Sequence, residues 1–129
     1  MEKFAEMVLL ADFYGPLLTD KQEKVWELHF AQDLSLGEIA EAEGISRQAV
    51  HDLLKRTEKI LRQYEAKLGL VKRFLRERDK LQTVRGLVQG FEAGDFRTEE
   101  LWQRWLEIRA KIEDIYQGIA EDTEDSVSG

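Results

Sequence analysis

The stretch LGEIAEAEGISRQAVHDLLK, Leu36 to Lys55, decides how this chain reads. Ser35 stands just before it with Glu38 three residues on, the capping-box form that opens a helix. Gly44 predicts the stop of that short helix, because glycine accepts the positive φ of a helix C-cap. Ser46 then caps a second helix that continues through Leu53, Ile60, Leu61 and Tyr64 to Leu68, with Gly69 at a break. Ile39, Ile45, Val50 and Leu53 are expected to supply the apolar contacts between the two helices, and Ala40 is small where they cross. Two capped helices joined by a glycine turn are the template of a helix-turn-helix, whose second helix enters the major groove.

Working outward, charge is segregated around that motif. Net charge over the whole chain is −7. Met1 to Ile45 holds three basic and ten acidic residues, Ser46 to Arg85 twelve and five, and Gly86 to Gly129 four and eleven. The segments therefore carry −7, +7 and −7, and the positive block starts where the second helix starts. A polyanion responds to local potential, so an acidic total does not exclude nucleic acid. Ser46, Arg47, Gln48, His51 and Asp52 are the candidates to face bases; arginine and glutamine have the donor patterns that suit guanine and adenine edges. Lys55, Arg56, Lys59 and Arg62 are the candidates for phosphates, which set register and affinity without reading sequence.

Upstream, Phe4, Met7, Val8, Ala11 and Tyr14 recur at helical spacing and predict a helix from about Glu2 to Tyr14, stopped by Gly15-Pro16. Thr19-Asp20-Lys21-Gln22 is another capping box and opens a helix to about Gln32, carrying Val25, Trp26, Leu28, His29 and Phe30. Downstream, Phe74, Leu81 and Val88 fall seven apart, with Leu70, Val84 and Phe91 as companions, in a helix from Leu70 to about Ala93. Thr98 can cap a last helix in which Leu101, Trp105, Ile108, Ile112, Ile115 and Ile119 step by four and three. The expected organisation is all-α: a helix-turn-helix unit over 1–69, a long helical hairpin over 70–120 and an acidic flexible tail over 121–129. The hairpin stripes read first as intramolecular core and alternatively as a dimer interface, and a homodimer is expected because one recognition helix alone binds weakly.

LLADFYGPLLTDKQ (Leu9 to Gln22), LSLGEIAE (Leu34 to Glu41), SRQAVHDLLKRTEKIL (Ser46 to Leu61) and YEAKLGL (Tyr64 to Leu70) together resemble the YlxM family of small bacterial helix-turn-helix proteins, themselves similar to region 4 of sigma factors. The resemblance covers roughly the first 75 residues. It implies a sigma-region-4-like DNA-binding unit and a link to the signal recognition particle pathway. The family usually has tyrosine where His51 stands, and the segment after about Arg76 is less family-like.

Absences narrow the remaining classes. Without cysteine there is no disulfide, thiolate catalysis or cysteine metal site. The longest uncharged stretch, Phe13 to Thr19, is far shorter than the ~20 residues that span a bilayer, and the N-terminus lacks a signal-peptide pattern, so a cytoplasmic location is expected. His29 and His51 lie in different helices with no i,i+4 partner; His29, in a mostly apolar helix, reads as a satisfied interior or boundary residue and not a ligand. No phosphate loop, nucleophile elbow or sheltered carboxylate pair is visible, so neither an enzyme nor a cofactor is expected. Duplex DNA is the expected partner, in a regulatory protein; the alternative is an adaptor for signal recognition particle RNA or protein.

Overall fold

In the computed structural model, backbone is described for residues 3–128 and side chains for 3–119. Six α-helices and no strand occur among the described residues: α1 (Lys3–Tyr14), α2 (Asp20–Trp26), α3 (Leu36–Glu43), α4 (Arg47–Leu68), α5 (Leu70–Val88) and α6 (Glu99–Ser128). No helix among them is long and apolar enough to cross a membrane. The chain divides into two units, the second spanning Lys72–Asp122 and the first comprising the rest.

The helix boundaries of the first unit are set by local chemistry. Thr19 accepts the Gln22 amide while Gln22 reaches back to the Thr19 amide, and Ser35 and Glu38 repeat the arrangement at α3. Gly44 sits at φ 67°, as the sequence predicts, and the break expected at Gly69 is also a left-handed turn, at φ 63°. The end of α2 departs from expectation. Glu27–Ala31 forms a π-helical turn, with the Gln32 amide donating to the Glu27 carbonyl. The wide turn is closed by Asp33 at φ 58° and by His29, whose Nδ1 donates to the Leu34 carbonyl at 2.8 Å. His29 is thus a satisfied boundary residue.

α1 is buried on more of its surface than a single stripe. Met7, Val8, Leu9, Leu10 and Tyr14 are all buried, whereas Phe4 stays half-exposed against Phe30. Trp26 of α2 is buried beside them, and its indole donates to the Met7 carbonyl at 3.0 Å. α4 is the common partner of these helices. Its core positions are Val50, Leu54, Thr57 and Leu61. Leu54 is therefore the buried leucine and Leu53 only half-buried, and Ile45 is half-buried as well. The helix phase is set by three packed neighbours, which the two-helix template does not contain.

The α4–α5 break is held by side chains from two elements. The buried Tyr14 hydroxyl donates to Glu65 Oε1 and accepts from the Leu70 amide at 3.1 Å. Glu65 Oε1 also accepts from the Val71 amide at 3.0 Å. Two amides freed by the Gly69 turn are thereby satisfied.

The second unit is an antiparallel pair, α5 and α6. Arg85 makes a bidentate bond to Glu113, at 2.6 and 3.0 Å, and lies over the Tyr116 ring. Phe91, Phe96, Trp102 and Trp105 cluster at the connected end. α5 ends at Val88, earlier than the expected Ala93, with the Gly90 amide turning back to the Leu87 carbonyl. The seam is not the one the sequence pattern suggests. Trp105, Ile112 and Ile119 face inward with Trp102, Leu106, Arg109 and Tyr116, but Leu101, Ile108 and Ile115 are exposed. A two-helix unit has one inward direction, so part of any broad apolar stripe must face out. α6 continues to Ser128, past Glu121 where the sequence places the start of the acidic tail; side chains there lie outside the described residues.

The tyrosine makes the stability of the first unit pH-dependent. Burial, followed by the hydrogen bond to Glu65, holds the Tyr14 hydroxyl above the ordinary 10.0. A pKa raised on folding contributes stability that is complete below the unfolded value and lost as pH rises through the folded one. Stability against urea should therefore fall above pH 10. Tyr14→Phe should remove much of that decline and cost about 1–2 kcal/mol at neutral pH.

Candidate nucleic-acid interface

An α-helix turns about 100° per residue, so an offset of two residues reaches the opposite face. The buried stripe of α4 is Val50, Leu54, Thr57 and Leu61. Two residues back from each stand Gln48, Asp52, Lys55 and Lys59, and all four are exposed. The packing of α4 on the rest of the unit thus determines its outward face. His51, Arg56 and Arg62 flank that outward stripe and are exposed, and Arg47 is exposed as the first residue of the helix.

The N-terminal turn of α4 is internally organised. The Ser46 hydroxyl accepts from the Ala49 amide at 3.0 Å, so its oxygen serves first as the cap. Asp52 is a hub: Gln48 Nε2 donates to its Oδ1 at 3.0 Å, and His51 Nδ1 lies 3.5 Å from the same oxygen. The carboxylate therefore orients the two neighbouring side chains that the sequence assigns to base edges. Arg47 is exposed at the first helical position.

The phosphate candidates separate into two groups. Among the described residues Lys55, Arg56 and Lys59 have no ion-pair partner, and neither has Arg47. Arg62 instead bonds Glu6 of α1 at 2.7 Å and Glu58 at 3.5 Å. The Glu6 bond, followed by its charge, raises the guanidinium above its usual range. That pairing spans 56 residues, and no local pattern announces it.

A cleft of about 710 Å³ runs beside this flank. Phe30, Leu36 and Leu54 give it apolar walls, and Lys3, Lys55, Lys59 and Arg62 line it as well. His29 and His51, far apart in sequence, both border it. Lys3 is a cation near α4 that sequence reasoning did not assign; its place depends on how α1 packs. No cluster of metal-ligating side chains occurs among the described residues.

A capped helix, a left-handed glycine turn and a second capped helix with an exposed polar face define a helix-turn-helix protein. The chain belongs to the UPF0122 family, whose model, described as "Putative helix-turn-helix protein, YlxM / p13 like", matches residues 1–93. The match passes the roughly 75 residues of the sequence resemblance and includes all of α5. The UPF0122 protein of Desulforamulus reducens is 50% identical over 95 residues, covering 74% of this chain and 81% of that one. That of Thermoanaerobacter sp. strain X514 is 43% identical over 114 residues, 88% of this chain and 97% of its own. The UPF0122 protein YlxM of Bacillus subtilis is 47% identical over 90 residues, 70% and 82% of the respective chains.

The turn geometry gives a stability test. Ser46→Ala removes the cap bond and should cost about 1 kcal/mol. Gly44→Ala forces a Cβ onto a left-handed residue and should cost a further 1–2 kcal/mol, roughly. Thermal unfolding of the two variants and their combination checks both values.

Proposed function

We propose that this chain is a non-enzymatic, cytoplasmic DNA-binding regulator whose α4 enters the major groove. Arg47, Gln48, His51 and Asp52 would meet base edges, with Ser46 at the groove entrance. Arg47 suits guanine, Gln48 adenine, and Asp52 can accept from a cytosine amino group. Lys55, Arg56 and Lys59 would meet phosphates along the next turns. The observation that carries this reading is the state of the cations on α4. In an acidic chain, Arg47, Lys55, Arg56 and Lys59 lie exposed on one helix without ion-pair partners among the described residues, while Lys24, Arg62, Arg73 and Arg85 are paired. Unpaired cations on a rigid helix keep their charge available to a polyanion. Arg62, tied to Glu6, serves mainly to hold α1 against α4.

The test is a titration against duplex DNA over a range of salt concentrations. Each phosphate neutralised contributes a log–log salt slope of about −0.9, so the three phosphate-facing cations predict about −2.7 per copy. Lys55→Ala/Lys59→Ala should shallow that slope by about 2, whereas Arg62→Ala should leave it nearly unchanged. A Gln48→Ala/Arg47→Ala variant should lose sequence preference more than non-specific affinity. Affinity independent of salt would overturn the reading. A preference for signal recognition particle RNA, or for that particle's protein, over duplex DNA would favour the adaptor instead.

A further inference from the structure

The α5–α6 unit leaves an apolar face uncovered. Val84, Leu87, Leu101, Ile108 and Ile115 are exposed, Leu87 by 69%, Ile115 by 55% and Ile108 by 50%. Each stands one residue before a residue of the hairpin seam: Arg85, Val88, Trp102, Arg109 and Tyr116 are all half-buried or buried. One residue back turns a side chain about 100° from the seam, always in the same sense. Because α5 and α6 run antiparallel, as the Arg85–Glu113 and Phe91–Trp105 contacts require, that common sense places both stripes on one side of the hairpin. Leu101, Ile108 and Ile115 repeat at intervals of seven, the spacing of helix-to-helix packing. Two helices alone have no second layer to cover such a face.

Charge identifies what covers it. α5 carries six Lys/Arg against two acids, and α6 over its described side chains, 99–119, carries five acids against three Lys/Arg. A face bordered by one basic and one acidic helix is complementary to itself. It pairs with an identical face when each α5 lies over the opposite α6, and repels when like helices are stacked. We infer that two copies of this chain join through this face as a four-helix bundle, α5 of each copy over α6 of the other. The dyad then runs parallel to the helices, every neighbouring pair is antiparallel, and both copies present Lys72 at the same end of the bundle. Val84 of one copy lies level with Ile115 of the other, since Arg85 and Glu113 mark the same level within a hairpin. The inference stands apart from the DNA reading, because the association needs no nucleic acid.

Sedimentation equilibrium of the full chain without DNA should give a dimer. Leu87→Glu/Ile108→Glu places charge on two exposed positions and should weaken the dimer by about 100-fold or more, with far-UV circular dichroism unchanged. The chain has no cysteine, so arrangement is tested by introduced ones. Val84→Cys and Ile115→Cys chains, refolded together and oxidised, should form a covalent mixed dimer far more readily than either alone. That second test holds even where the charged variant fails to fold. A wild-type chain monomeric at high micromolar concentration would overturn the inference, as would a dimer indifferent to the charged substitutions. Cross-linking confined to like pairs would overturn the proposed arrangement.

Discussion

The first unit depends on how one side of α4 is packed. Val50, Leu54, Thr57 and Leu61 form the buried side of α4, which packs on α1, α2 and α3, and the Trp26 bond to Met7 fixes α1 and α2 to each other. Burial of apolar surface drives the packing, and a rigid 22-residue helix carries its consequence outward. Once that stripe is inside, Gln48, Asp52, Lys55 and Lys59 have only solvent to face. Stability and the candidate interface are two faces of the same constraint.

Polar interactions refine what packing sets. Asp52 places Gln48 and His51 together, so the N-terminal turn of α4 presents an arranged group instead of three independent side chains. Tyr14 and Glu65 satisfy amides at the Gly69 turn and couple α1 to the end of α4. Arg62 adds a second tie from α4 to α1 through Glu6. Its charge is partly neutralised there, whereas Lys55 and Lys59, on the same helix, remain available.

The second unit follows a different logic. The bidentate Arg85–Glu113 bond and the aromatic group at the connected end set the hairpin's register. Its apolar residues exceed what a single seam between two helices can cover. The excess lies along one side, and the opposite charge bias of the two helices gives that side a self-complementary border.

Features governed by nearby residues were legible in the sequence alone: the caps at Thr19, Ser35 and Ser46, the left-handed turn at Gly44, the break at Gly69, the six helices and the basic block that begins at Ser46. A cap or a positive φ is decided within about four residues, so sequence contains the whole cause. The tertiary structure decided what depends on distant neighbours. It made Leu54 and not Leu53 the buried contact, turned Leu101, Ile108 and Ile115 outward, and paired Arg62 with Glu6. Helix phase at a packed surface shifts by about 100° for each residue. Only the positions of the surrounding helices can choose among adjacent apolar residues, or among adjacent cations.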